Sequence, residues 1–365
     1  MPLFSLSNAK NFMRYSIACS LSLTFLFIAN STTLQTPSPT TQCNKDPYKQ
    51  LNLIHNPNGT ITRPNKPKES PPAPDPTLPI LVLSKDLIIN QSKGTWARIY
   101  IPRKALYDSS KLPLVVFFHG GGFIFLSAAS TIFHDFCFNL ANDVVAVVAS
   151  VEYRLAPEHR LPAAYDDAVE ALHWIKTNQD DWLIKHVDFS HVFLMGSSAG
   201  GNIAYNAGLR VAAGDYQSPK IKGLILAQPF FGGTHRTGSE VRLANEPHLS
   251  LCNNDALWEL SLPFGVGRDH EYCNPTVGNG AVRMEMIGRL GWRVLVTGCG
   301  GDPLVDRQIE VVRLMRRKGV RVVGKFTEGD YHGIQDSEPL KAKELYGVIK
   351  SFISALPTKD VMIYF

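Results

Sequence analysis

The stretch Val192–Ala204, VFLMGSSAGGNIA, decides the fold. Four apolar residues, Val192 to Met195, read as a buried strand. The Ala-rich run from Ala199 to Ala213 reads as a helix that follows it directly. Between them Gly196-Ser197-Ser198-Ala199-Gly200 matches G-x-S-x-G with Ser198 at its centre. The pentapeptide alone is a weak signal, but a strand before it and a helix after it are the setting a nucleophile elbow requires. Glycines permit the sharp turn, and the hydroxyl of Ser198 then stands at the end of a sheet. The helix N-terminus behind it presents unpaired N–H groups to a developing negative charge.

Working outward, further apolar runs lie at Leu114–Phe118, Val144–Val151, Leu224–Ala227, Val294–Thr297 and Val320–Phe326. They are apolar on successive residues, which suits strands covered on both faces, as in a parallel sheet. Helical spacing appears over Ala163–Asn178, and over Leu304–Lys318 up to the stop at Gly319. This alternation predicts an α/β protein with a doubly wound, mostly parallel sheet. The segment 232–279 breaks the alternation and reads as an insertion.

The chemistry of a serine nucleophile demands more. A hydroxyl needs a base, and the base needs an acid to orient it. In this fold the chain order is Ser, then Asp or Glu, then His. Asp302 follows the run ending at Thr297, and His332 follows the run ending at Phe326, both at the sheet edge where such a site gathers. Asp306 should lie inside the next helix, and Asp330 is too close in sequence to reach the far side of the ring. Of the eleven histidines, His134, His159, His173, His186, His191, His235, His248 and His270 lack a matching strand-end context. His119-Gly120-Gly121-Gly122 follows Leu114–Phe118, and three glycines let backbone N–H groups approach a ligand. The N–H groups of Gly121, Gly122 and Ala199 are therefore the expected oxyanion hole. Phe123, Ile124, Phe230 and Trp258, with Phe125, Phe231 and Phe264, are candidates for an apolar substrate wall; for any one of them core packing is the competing role. Arg154 and Glu158 read as a paired, hydrogen-bonded support of the glycine turn rather than as substrate contacts.

Composition narrows the classes. The chain has 365 residues, 44% hydrophobic and 19% charged, which excludes a disordered or fibrous protein. The net charge of +5 is spread along the chain, with no one-sign arm for nucleic acid. The densest basic stretch, Arg313, Arg316, Arg317, Lys318 and Arg321, alternates with apolar residues and reads as the wet face of a helix. Six cysteines (Cys19, Cys43, Cys137, Cys252, Cys273, Cys299) show no metal-ligand spacing. No metal or organic cofactor is called for. The substrate partner is a small molecule.

The N-terminus reads differently. Lys10 and Arg14 precede an apolar run, Tyr15–Ala29, with small residues after it. That is the layout of a secretory signal peptide over 1–31, and the run is short for a membrane span. A secreted chain is expected; an anchor, a transit peptide or a cytoplasmic location is the alternative. If Cys19 leaves with the leader, an odd number of cysteines remains, so at least one is unpaired within the chain. Asn58 and Asn90 stand in N-x-S/T tripeptides. Residues 32–79, with prolines from Pro64 to Pro79, read as a linker and an N-terminal cap arm. Residues 80–357 read as the catalytic domain, 232–279 as a cap insertion within it, and 358–365 as a tail.

The motifs HGGGF (His119–Phe123), YRLAPE (Tyr153–Glu158), LPAAYDDA (Leu161–Ala168), GSSAGGN (Gly196–Asn202) and DPLVD (Asp302–Asp306) together resemble the plant carboxylesterases, in the hormone-sensitive-lipase-like branch of the α/β hydrolases. The match runs from about Asp46 to Leu356. The strings WELSLPFG, RDHEYCNP and GDPLVDRQ resemble the subgroup that acts on acetylated alkaloids of opium poppy. The resemblance implies an esterase acting on short-chain, acetyl-type esters, with nucleophile Ser198, acid Asp302, base His332 and oxyanion glycines Gly121 and Gly122. Ser197 departs from the family, since many relatives carry Asp there. The resemblance also leaves two other classes open: dehydratases or cyclases that use the pocket without hydrolysis, and hormone receptors, whose members lack the His that His332 provides here.

Overall fold

The computed structural model describes residues 46–58, 60–108, 110–214 and 219–355, and the backbone of 363–364. The expected leader over 1–31 lies outside the described residues. The first elements are α1 (Pro47–Gln50), capped by the Asp46 side chain, and a small antiparallel ribbon of β1 (Ile54–His55) and β2 (Ile61–Thr62). The proline-rich chain after them makes no helix or strand beyond one bridge between Glu69 and Ser130, as ring-locked residues without an N–H require.

The sheet begins with β3 (Val82–Asn90) and β4 (Thr95–Pro102), an antiparallel hairpin. There follow β5 (Leu112–Phe118), α2 (Thr131–Val144), β6 (Val147–Glu152), α3 (Ala163–Thr177), α4 (Asp181–His186), β7 (Val187–Ser197), α5 (Ala199–Ala213) and β8 (Ile221–Ala227). After α6 (Gly238–Arg242), α7 (Leu251–Ser261) and α8 (Gly280–Arg289) come β9 (Arg293–Cys299), α9 (Val305–Arg317), β10 (Arg321–Thr327), α10 (Ile334–Ser337), α11 (Pro339–Ser354) and β11 (Ile363–Tyr364). The strand order is β11-β10-β9-β8-β7-β5-β6-β4-β3, parallel from β11 through β6 and antiparallel at β4 and β3.

Both sheet faces are covered, as the unbroken apolar runs predicted. Leu114, Val116, Leu194, Leu224 and Val294 face the layer of α3, α5, α8 and α9, while Val115, Phe117, Phe193, Met195 and Leu295 face α2 and α11. Side chains alternate between the two layers because successive residues of a strand point to opposite faces. Helix α9 buries Val311, Val312, Leu314 and Met315 and exposes Arg313 and Arg317, the wet face read from the sequence.

Two expectations are corrected. The run Val144–Val151 is not one strand: Val144 closes α2, Val145 is a left-handed cap at φ 63°, and β6 starts at Val147. The buried end of a helix and the start of a buried strand are equally apolar, so the run spans the turn between them. Part of the stretch read as tail is strand, since Ile363–Tyr364 pairs in parallel with β10. The segment 232–279, read as an insertion, lies between β8 and β9 and holds α6 and α7; α1 packs on α7, and α8 beyond it packs on α5.

Candidate active site

The chain leaves β5 for β6 on one side of it and later enters β7 on the other, so β5 and β7 meet where the strand order reverses. The register pairs Phe118 with Gly196. The loops after β5 and after β7 therefore emerge side by side, the crevice in which open α/β sheets place their ligands. Ser198 stands there at φ 54°, ψ −118°, a strained conformation held by its N–H donating to Ala227 O at 2.9 Å. Gly200 lets α5 pass this close to β5: a Cβ on it would lie 1.9 Å from Phe118 O.

His332 Nε2 lies 2.8 Å from Ser198 Oγ, and its Nδ1 lies 2.9 Å from Asp302 Oδ2. Asp302 is fully buried and also accepts from Leu304 N–H at 2.8 Å and from Gln308 Nε2 at 2.9 Å. Burial pulls the His332 imidazole down, but the Asp302 charge and hydrogen bond, with Asp336 and Glu246 behind them, outweigh it and hold the ring above the ordinary value. The competing acids are engaged elsewhere. Asp306 accepts from Ser239 N–H at 2.7 Å, and Asp330 pairs with Lys341 at 3.0 Å.

The glycine turn faces the same hydroxyl. Among the described residues, the N–H groups of Gly121, Gly122 and Ala199 donate to no protein acceptor, so all three remain available to an oxyanion. Gly121, at φ 105°, has no room for a side chain: a Cβ would sit 2.2 Å from Phe125 O. The turn is braced from below. The Tyr153 ring stacks on His119 at 4.3 Å, and its hydroxyl donates to His119 O at 2.9 Å. Burial lowers His119 to about 4, so this ring is neutral at neutral pH, and the 3.8 Å approach of Glu152 is no ion pair. Arg63 grips the turn from above, donating to Ile124 O at 2.8 Å and Ala156 O at 2.6 Å while pairing with Glu158. Arg154 holds buried Asp167 through Nε and Nη2. Both YRLAPE charges are thus paired, the structural role read from the sequence.

Phe123, Ile124, Phe230 and Trp258 are all buried. Phe230 stacks on Trp258 at 4.8 Å, and Phe123 leans on Trp258 at 5.4 Å. This cluster adjoins Ser198, since Phe230 N–H donates to Ser198 O at 2.9 Å. Phe264 takes no part: it is 85% exposed beneath the Arg160 guanidinium. Phe231 packs edge-on to Tyr205 in the core. Among the described residues, no group of three or more His, Cys, Asp or Glu is placed to hold a metal ion, and no helix is long and apolar enough to cross a membrane.

Four polar residues escaped the sequence reading. Asn202 donates to Phe230 O and Tyr272 O and accepts from the Tyr165 hydroxyl. Gln308 supports Asp302, Gln228 touches the loop of His332, and Asp336 accepts from Ser197 Oγ at 2.8 Å. Gln228 alone carried a usable signal, a polar residue directly after the apolar run Leu224–Ala227.

A family model for the α/β hydrolase fold matches residues 115–336. Carboxylesterase 20 of Arabidopsis thaliana is 52% identical over 317 residues, covering 84% of this chain and 96% of its own length. The chain belongs to the plant carboxylesterase family. It is a carboxylic ester hydrolase of the α/β-hydrolase fold, and its substrate is a small-molecule ester. A 3-O-acetylpapaveroxine carboxylesterase of Papaver somniferum is 44% identical to this esterase over 319 residues, 84% of this chain and 99% of its own. Among solved structures, an esterase of Pyrobaculum calidifontis superposes on it with a TM-score of 0.63 at 30% identity, over 76% of this chain and 86% of that one.

Proposed function

We propose that this esterase hydrolyses short-chain, acetyl-type esters of plant metabolites through an acyl-enzyme on Ser198. The observation that carries the reading is the unbroken line Ser198 Oγ–His332–Asp302, at 2.8 and 2.9 Å. His332 Nε2 takes the hydroxyl proton as Ser198 Oγ attacks the ester carbonyl carbon. Asp302 accepts from Nδ1–H, fixes the tautomer and stabilises the imidazolium. The tetrahedral oxyanion rests on the N–H groups of Gly121, Gly122 and Ala199, where losing one donor costs about 3–4 kcal/mol of barrier. The protonated His332 gives its proton to the departing alkoxide. It then takes one from water as the water attacks the acyl carbonyl, and returns it to Ser198 Oγ as the Oγ–acyl bond breaks and the acid product leaves.

The acetyl-type preference draws support from the Papaver somniferum relative, whose name specifies an acetyl ester. It also draws support from the cluster of Phe123, Ile124, Phe230 and Trp258 packed beside the nucleophile. A p-nitrophenyl ester series tests the reading. Acetate and butyrate should turn over much faster than octanoate or longer, and Ser198→Ala should remove turnover of all of them. Equal rates across the series would overturn the acyl preference. Wild-type rates in Ser198→Ala would overturn the nucleophile.

We further propose that residues 1–31 lead the enzyme into the secretory pathway. Cys252 is disulfide-bonded, a state that persists in oxidising compartments. Glycan on Asn58 or Asn90 of the plant-expressed chain is the expected result; a cytosolic fluorescent fusion carrying the intact N-terminus would contradict it.

A further inference from the structure

Gln228 is the first residue after β8, and its backbone is left-handed at φ 43°, a conformation uncommon for any residue with a side chain. It is buried, and its N–H donates to Thr297 O at 3.0 Å. Its carboxamide is engaged at both ends. Nε2 donates to Tyr331 O at 3.2 Å and to Cys299 Sγ at 2.9 Å, and Oε1 accepts from Gly333 N–H at 2.7 Å. Tyr331 and Gly333 are the two chain neighbours of His332. A carbonyl on one side of a residue and an N–H on the other call for a donor and an acceptor side by side, which a carboxamide supplies in one plane.

The segment it holds has freedom to lose. Gly329 and Gly333 flank it, both at positive φ, with Asp330 at φ 57° between them. Glycines permit this conformation and many others, so sequence alone does not fix where the imidazole sits. The acid side of the site is tied to the same group, because Cys299 lies three residues before Asp302 at the end of β9.

We propose that Gln228 is a positioning residue whose carboxamide brackets His332 through Tyr331 O and Gly333 N–H and so holds the imidazole between Ser198 and Asp302. The role rests on the Ser198–His332–Asp302 reading above. The hydrogen bonds of Gln228 go to Thr297, Cys299, Tyr331 and Gly333, and none reaches Ser198 Oγ, the His332 ring or the Asp302 carboxylate. A bracket of this kind acts on the placement of the base, so its loss should appear in kcat and leave ester binding alone. Displacements of about 1 Å can cost two orders of magnitude in rate.

The test compares wild type, Gln228→Met and Gln228→Glu on p-nitrophenyl acetate, with Ser198→Ala as control. Turnover is counted per folded molecule, the folded fraction being read from near-UV circular dichroism. Gln228→Met keeps the length and removes all three carboxamide hydrogen bonds; kcat should fall about 10- to 100-fold with KM within about twofold. Gln228→Glu keeps the shape and the acceptor for Gly333 N–H but loses the donor to Tyr331 O and Cys299 Sγ. It should lower kcat and move the acid limb of the pH profile upward, because a carboxylate beside His332 favours the imidazolium. If Gln228→Met is poorly folded, the isosteric Gln228→Glu decides. Wild-type kcat per folded molecule with an unmoved acid limb would overturn the bracket. Should Ser198→Ala itself retain activity, the triad reading fails instead, and the two failures are distinct.

Discussion

In the proposed mechanism His332 has to be neutral to accept the Ser198 proton, yet its surroundings favour the charged form. Burial opposes the charge, but Asp302 at 2.9 Å and the carboxylates of Asp336 and Glu246 win, and the ring titrates above its ordinary value. A base that is protonated cannot act, so kcat/KM should rise with pH through a midpoint above that of an ordinary imidazole and fall away below it. Asp336 contributes to that midpoint. Burial raises its own carboxyl to about 6, against the Ser197 hydrogen bond, so at neutral pH it is largely ionised and favours the imidazolium. Asp336→Asn removes this charge and should move the acid limb to lower pH while leaving Asp302 in place. A pH profile of kcat/KM checks it; an unmoved limb would show that the Asp336 charge does not reach the ring.

At the scale of elements, the chain declared its parallel strands openly. Leu114–Phe118, Val192–Met195 and Val294–Val296 are apolar on every residue because both faces are covered, and all three lie inside strands. The β3–β4 hairpin gave no such signal, since Ser84, Lys85, Asp86 and Arg98 interrupt it. Those residues are satisfied by tertiary contacts: Arg98 pairs with Asp86, and Lys85 with Asp180. The candidate site residues Ser198, Asp302, His332 and the glycine turn were legible because each follows a strand in a recognisable setting. Gln308 and Asn202 were not, because a buried amide on a helix has the same letter as an exposed one. The charged pair Arg154–Asp167 belongs to this scale too, linking the loop after β6 to α3. Asp167 is 1% exposed, so Arg154→Ala would leave a buried carboxylate short of its cation. A loss of about 3 kcal/mol is expected in urea unfolding, with Arg154→Lys recovering part of it, because a point charge cannot reproduce the forked contact. Unchanged stability would show that water reaches Asp167.

For the whole molecule, one sheet organises the chemistry. Parallel strands bring the C-terminal ends of β5, β7, β9 and β10 to one edge, and the reversal at β5 opens the crevice where the glycine turn meets Ser198. Residues far apart in the chain therefore meet without a second domain: His332 Nε2 reaches Ser198 Oγ at 2.8 Å across 134 positions. Chain outside the sheet is drawn to the same edge. Arg63 from the N-terminal arm bonds the carbonyl of Ile124, and Ser261 at the end of α7 donates to Gly122 O at 3.3 Å. Both contacts draw chain outside the sheet to one crevice. The central claim is that an ester's acyl group passes through Ser198. Acid quenching during turnover of p-nitrophenyl acetate, followed by peptide mass spectrometry, tests it directly. The account predicts an acetyl group on the peptide containing Ser198, absent from Ser198→Ala. Acetyl on another residue, or undiminished turnover in Ser198→Ala, would contradict it.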